Sequence, residues 1–409
     1  MKTKTLSSLR NQHMEFVSLD SLCTDVIDCP HSTPKWKESG IPVIRNFNLV
    51  DGHIDTSKLS YVDQETYETR VKRAKPEPGD IIISREAPMG VVGIVPNNFK
   101  CCLGQRLVLL KVDRTKCDPE YLLYTLLSPV VQTQINRIDA TGSTVSNLNI
   151  PDLKQLSIPM IDGNASEIAH TLKIIDQKIA NNNAISAKLE AMVKTIYDYW
   201  FLQFEFPNVG GNPYKSSGGE MVWNDELQRE IPAGWEVDNL GNHFDVSKGT
   251  PLTASDAKLD GPYKVVSAGL DYAYHHNEYN REKDTISIST SGANAGFVRY
   301  WHERIYANDC ITIRHNNVSN TIYAYNFLKA IQNYLYSQAR GSAQPHVYPA
   351  DISTLKLVIP PVEIMERFAK IIGPQNSNLE VIQKQNQQLA SLRDFLLPML
   401  MNGQVIVNE

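Results

Sequence analysis

Two acids and a lysine form the one spacing in this sequence that could do chemistry directly. Pro151-Asp152 is followed by Asp176-Gln177-Lys178, the pattern with which a nuclease holds magnesium and orients a water. Three features count against that use. Asp176 and Lys178 fall on a helical stretch, where residues two apart do not share a face. A second copy of the region keeps Asp152 as Asp351 but replaces Asp176 and Lys178 with Asn376 and Asn378. The motif is also short enough to arise by chance. Other chemistries lack their parts. There is no GxxxxGK[ST] phosphate loop, no GxSxG and no HExxH. An amino-methyltransferase would need a glycine-rich cofactor loop and an Asn-Pro-Pro-aromatic motif to receive a flipped base, and neither occurs. The six cysteines, at 23, 29, 101, 102, 117 and 310, contain no CxxC pair. Zinc needs four ligands converging on one point, so scattered reduced thiols are expected. His275-His276 lies in a Tyr- and Asn-rich stretch that reads as a surface loop. The expectation is a chain with no catalytic residue and no metal site.

The elements that carry these residues repeat. GSTVSNLNIPDLKQLSIPMI begins at Gly142 and GSAQPHVYPADISTLKLVIPPV at Gly341. Each holds a Gly-Ser, a polar loop, an Asp and an alternating strand ending in Ile-Pro. The offset moves from 199 residues at the glycines to 201 at the prolines. Upstream, FVSLDSL from Phe16 parallels GWEVDNL from Gly234, and GDIIISREAPMGVVG from Gly79 parallels DTISISTSGANAGFV from Asp284. The chain is therefore a tandem of module, helix, module, helix. Strands are expected at VGIVP, RLVLLKV and TISIST, and helices at EYLLYTLLSPVVQTQI and TIYAYNFLKAIQNYLYSQ.

The two later helices resemble a coiled coil. Ile168, Leu172, Ile175, Ile179, Leu189, Val193 and Ile196 fall on one heptad track interrupted by Asn182 and Ser186. The second helix offers Leu379, Ile382, Leu389, Leu392 and Leu396, with Asn386 on the same track. Gly373-Pro374 is expected to break this helix near its start, with Pro374 in a tolerated first turn, and Pro398 to kink or end it. The division is residues 1–160, a helix at 161–203, a Gly-, Pro- and Ser-rich linker at 204–234, a second module at 235–361, and a second helix with the C-terminus at 362–409.

At 409 residues the chain suits two or three domains, and 42% hydrophobic with 21% charged residues is the composition of a folded protein. The N-terminus has lysines but no apolar segment, and no apolar run is long enough to cross a bilayer. A cytoplasmic location with no membrane partner is expected. A net charge of −5 speaks mildly against a lone nucleic-acid binder, yet Arg70, Lys72, Arg73 and Lys75 cluster, as do Lys35, Lys37 and Arg45.

Two variable modules alternating with two similar helices resemble the specificity subunits of type I restriction-modification enzymes. The connector FEFPNVGGNPYKSSGGEMV…REIPAGWEV, the paired GS…IP segments and the ending SLRDFLLPMLMNGQV carry the likeness, which spans essentially the whole chain. The resemblance implies a mixed α+β fold, with two target recognition domains separated by two long helices in an antiparallel coiled coil. It implies double-stranded DNA as partner, each module reading one half of an asymmetric split site. Two methyltransferase subunits and the restriction/translocase subunits would dock on the chain. S-adenosylmethionine, ATP and magnesium would be held by those partners and no cofactor by this chain. A helix of about 30 residues spans roughly 45 Å, a little over the ~34 Å of one DNA turn, so the coil suits a spacer. Residue type and loop placement then nominate base contacts. In the first module these are Arg85, Gln105, Arg106, Ser143 and Thr144. In the second they are Thr290, Ser291, Asn294, Ser342 and Gln344. Lys72, Arg73, Lys248 and Arg340 are nominated for phosphates. A coiled-coil scaffold whose modules bind protein is the alternative, and a self-sufficient nuclease the third reading.

Overall fold

The computed structural model describes residues 14–140, 147–161, 163–258, 260–338 and 345–405. The chain divides into two compact units. Unit one takes the residues up to Asn181 and those from Gln385 onward, and unit two is Asn182–Lys384.

Unit one is built on an antiparallel sheet in the order Cys23–Asp28, Leu107–Val112, Ile81–Ser84, Val92–Ile94. Its central strands read IIIS and LVLLKV because both faces are covered. Ile81, Ile83, Val108 and Leu110 enter one core, while Ile82, Leu107 and Leu109 enter another. Side chains alternate across a strand, so a strand is apolar at consecutive positions where a core covers each face. A smaller sheet orders Ser60–Val62, Ile41–Ile44 and Cys102–Leu103. Met14–Ser18 pairs antiparallel with Ser157–Ile161 and closes the module.

Unit two repeats these three sheets. Its larger antiparallel sheet runs Asp245–Lys248, Cys310–Arg314, Thr285–Ser289, Val298–Trp301. Its smaller sheet runs Tyr272–His276, Tyr263–Val266, Ile305–Ala307, again with one antiparallel and one parallel pairing. Glu236–Asn239 pairs with Lys356–Ile359 as the closing ribbon. The expected strands all lie within these sheets. Each expected module helix is split in two, as Pro119–Leu127 and Pro129–Ala140 in unit one and Val318–Ala330 and Gln332–Gln338 in unit two. Pro129 accounts for the first break, because the residue before a proline is pushed out of the helical region.

The long helices are Ala165–Tyr197 and Val362–Met401. Within unit one, Ile168 and Leu172 share a core with Leu396, Leu400 and Met401. Within unit two, Val193, Tyr197 and Trp200 share one with Phe368 and Ile372. In each unit the early part of one helix meets the late part of the other, so they run antiparallel. The connector is more than a spacer. It forms a hairpin, Met221–Asn224 with Arg229–Pro232, and its Phe206 ring stacks on Trp235 at 4.9 Å.

Three expectations need correction. The second helix runs unbroken through Gly373-Pro374. Met365, Phe368 and Ile372 on the preceding turns are buried in unit two, and that burial outweighs the hydrogen bond the proline cannot make. Leu392 is not on the seam but 45% exposed. Arg393 takes that turn, because its guanidinium donates to the Asp176 carboxylate at 3.0 Å. His275-His276 is not a loop but the end of strand Tyr272–His276, paired with Lys264 and Tyr263. Both acids of the acid–lysine spacing, counted against from sequence, have other partners. Asp152 sits by the N-terminus of the short helix Ile150–Lys154, accepting from Asn149, and Asp176 is consumed by Arg393 and by the Tyr124 hydroxyl at 2.7 Å. The remaining seam residues, Ile168, Leu172, Ile175, Ile179, Leu189, Val193, Ile196, Leu379, Ile382, Leu389 and Leu396, are buried or half-buried. Among the described residues no group of three or more His, Cys, Asp or Glu side chains is placed to hold a metal ion, and no helix is long and apolar enough to cross a membrane.

All six cysteines are free and buried. Burial pushes the thiols of Cys23, Cys101, Cys117 and Cys310 up to about 12 and that of Cys102 to about 11. At pH 8 they stay protonated, and the thiolate is the reactive species. An aromatic disulfide reagent should therefore find essentially no reactive thiol in the native chain and all six after denaturation. The same shifts lower stability as pH climbs past the ordinary thiol value of about 8.5, because only the unfolded chain ionises there. Rapid native labelling at pH 8 would contradict the packing around these thiols.

Candidate nucleic-acid interface

Polar loop ends gather at one end of each module. In unit one the strand Ile81–Ser84 runs into a loop closed by Gly90, whose N–H donates to the Ser84 carbonyl at 2.9 Å. Gly90 has φ +80°, and a Cβ there would meet Ile135 at 2.9 Å, so only glycine suits the position. Unit two builds the same loop after Thr285–Ser289. Gly296, at φ +92°, donates to the Ser289 carbonyl at 2.8 Å, and a Cβ would strike the Leu335 carbonyl oxygen at 2.8 Å.

Three segments meet beside the first loop. The Arg85 N–H donates to the Arg106 carbonyl at 2.8 Å, and the Leu148 N–H donates to the Arg85 carbonyl at 3.0 Å. The structure thus brings Arg85, Gln105 and Arg106 together. They are not equally free. The Arg85 guanidinium is spent internally, on Asp28 at 2.8 and 2.9 Å, the Leu148 carbonyl at 3.0 Å and the Asn147 side chain at 3.2 Å. Such a charge-assisted fork is a structural clamp. Gln105 donates to the His31 carbonyl. Arg106 is exposed, at φ +67°, and pairs with Glu86 at 3.1 Å. Ser143 and Thr144 lie outside the described residues, as do Arg340, Ser342 and Gln344.

The corresponding meeting in unit two has different chemistry. Val347 N–H donates to the Thr290 carbonyl at 2.9 Å. The Thr290 and Ser291 hydroxyls donate to the two oxygens of Asp309 at 2.7 and 3.0 Å. Thr290 is buried, so its role is to orient the acid rather than to meet a ligand. Asn294 is half-buried in the loop. Lys248, Lys72 and Arg73 are exposed and enter no ion pair among the described residues, as a phosphate contact requires.

The sequence model of the type I restriction modification DNA specificity domain matches residues 11–191 and again 232–391, most of the chain. The chain belongs to this family. Its two modules are two copies of that specificity domain, a recognition element and not a catalytic one. The chain is 25% identical over 352 residues to the type I restriction enzyme MjaIX specificity subunit of Methanocaldococcus jannaschii, an alignment covering 81% of this chain and 78% of the relative. A shorter match to the MjaVIII specificity subunit of the same organism is 26% identical over 171 residues, 38% of this chain and 40% of the relative. The fold resembles the crystal structure of the type I restriction-modification system S subunit from Mycoplasma genitalium, with a TM-score of 0.65 at 20% identity over 100% of this chain and 99% of that one.

Two arginines of the specificity chain changed meaning once folded. Arg70, one of the basic cluster in sequence, is buried. It donates to the carbonyls of Leu103 at 2.9 Å, Ser32 at 2.9 Å and Pro30 at 3.2 Å, and so pins the loop carrying His31 beside residues 103–106. Arg45, in the other cluster, is exposed beside Trp36 and Phe47. The available signal was the Trp36, Arg45, Phe47 composition, aromatics interleaved with a cation on an otherwise polar stretch.

Proposed function

We propose that this chain is the sequence-reading subunit of a type I restriction-modification complex, each module reading one half of an asymmetric split site in double-stranded DNA. The observation that carries the reading is the combination of one repeated sheet plan with unlike loop ends. Arg85, Gln105 and Arg106 stand in the first module where Thr290, Asn308 and Asp309 stand in the second. One scaffold with two polar faces suits two different half-sites. The long helices offer docking surfaces for two methyltransferase subunits, which with the restriction subunits hold S-adenosylmethionine, ATP and magnesium.

The test is a reconstituted complex with its methyltransferase subunits. Sequencing the modified bases should give a bipartite motif with unlike halves and an unread gap. DNA affinity of the complex should fall steeply with salt, since phosphate contacts release counterions. The purified chain alone, given labelled S-adenosylmethionine and then magnesium with ATP, should leave DNA untouched. Salt-independent or absent DNA binding by the complex would favour a protein-binding scaffold. Cleavage by the purified chain would point to a nuclease.

A further inference from the structure

We infer that Arg45 is a base-reading residue of the first module and that the base it reads is a guanine. The inference rests on the DNA-reading function above. The Arg45 guanidinium carbon lies 4.7 Å from the Phe47 ring centroid and 5.4 Å from that of Trp36. Both rings are large apolar groups left open to solvent, Trp36 42% and Phe47 48% exposed. Arg45 itself is exposed and enters no ion pair among the described residues. Stacking holds a guanidinium in a plane and leaves its in-plane N–H donors available. A phosphate needs only a nearby charge, whereas the O6/N7 edge of guanine needs a planar fork in a set orientation.

The backbone beneath is fixed as firmly as the side chain. Asn48 is fully buried. Its side chain accepts from the Arg45 N–H at 3.0 Å and donates to the carbonyls of Asp55 and Lys58, each at 3.1 Å. Gly104 donates to the Ile44 carbonyl at 2.7 Å. A Cβ on Gly104 would lie 3.3 Å from Arg45 Cγ, so the arginine stem runs over the segment leading to Gln105 and Arg106. The Asn46 side chain donates to the Ala87 carbonyl, in the loop that follows the central strand. Arg45 therefore belongs to the same gathering of loop ends as the nominated contacts, and its charge is free where that of Arg85 is not. Unit two departs here. Strand Tyr263–Val266 corresponds to Ile41–Ile44, so the residue after it, Ser267, stands where Arg45 does. A guanine fork at this position is confined to the first module.

The experiment uses the full complex with its methyltransferase subunits and maps the modified motif for the native chain, Arg45→Ala and Arg45→Lys. The native motif should contain a G·C pair in the half read by the first module. Arg45→Ala should lower the preference for that pair by about 5- to 150-fold, the worth of one bidentate contact, and leave the other half unchanged. Arg45→Lys keeps the charge but not the fork, and should relax the same position. If Arg45→Lys retains the full motif while Arg45→Ala weakens all sites equally and flattens the salt slope, Arg45 is a phosphate contact and the inference is overturned. An unchanged motif and affinity in Arg45→Ala also overturns it. A native complex with no defined motif would instead remove the DNA-reading function on which the inference rests.

Discussion

Arg393→Ala should destabilise unit one by about 3–5 kcal/mol, the cost of leaving one member of a buried ion pair alone. Asp176 keeps only 5% of its side chain exposed, and Arg393 19%. The carboxylate accepts from Arg393 Nη1 at 3.0 Å and from the Tyr124 hydroxyl at 2.7 Å. Burial works against the charge on Arg393, but the carboxylates of Asp176 and Asp394 more than offset it and hold its pKa above the usual value. Removing the guanidinium leaves the buried Asp176 carboxylate with the Tyr124 hydroxyl but without its arginine. Asp176→Asn with Arg393→Val should recover much of the loss, because no lone charge remains. That pair already exists in the chain. An offset of 200 residues places Asn376 and Val193 at the corresponding turns of unit two, where a cavity of about 330 Å³ lies beside them. Amide exchange reads each unit separately. In Arg393→Ala, amides of Leu107–Val112 should exchange roughly a hundredfold faster or more, while those of Cys310–Arg314 stay protected. Equal acceleration in both strands, or none, would refute the assignment.

Exchanging Trp235–Pro360 for the matching segment of a relative should replace one half of the recognised site and leave the other intact. The segment is closed on itself, since Glu236 pairs with Ile359 at its two ends. It also rests on residues outside it. Phe201 packs edge-on against Tyr323 at 4.8 Å and against Phe368 at 4.9 Å, and Trp235 stacks on Phe206. A donor that keeps aromatic residues at 235 and 323 should fold, and one that lacks them should lose stability through the cavity left in this layer. The readout is the modified motif of the chimera in complex with its methyltransferase subunits. A change in both halves, or in neither, would show that the modules do not read independently.

Much of the architecture is local in origin and was legible. The run IIIS becomes a central strand because continuous apolar residues tolerate burial on both faces, and TISIS becomes one with Ile286 and Ile288 in the apolar core and the hydroxyls of Thr285, Ser287 and Ser289 buried on the other face. The heptad stripes become seams because side chains three and four apart share a helix face. The tandem repeat follows from self-similarity alone, and the larger sheets, the smaller sheets and the closing ribbons of the two units correspond. Misreadings cluster where a partner lies far along the chain. Leu392 fits the stripe by spacing, yet Arg393 takes the turn because Asp176, 217 residues earlier, is there to meet it. Gly373-Pro374 reads as a break near the start of the helix, yet a buried layer on the preceding turns carries the helix through.

The candidate site divides the same way. By itself the sequence determined which loops carry polar residues, since turn glycines and strand ends mark them and their order repeats. Which of those residues are free to meet a ligand was decided by the tertiary structure alone. Arg85 and Arg45 are the same residue type, each at the end of a β-branched strand. Sheet register puts Asp28, 57 residues away, against Arg85 and neutralises it, whereas the Arg45 guanidinium lies over two rings and enters no ion pair among the described residues. A charge paired inside the fold cannot serve a base edge, and that pairing is set by strands whose sequence separation hides it.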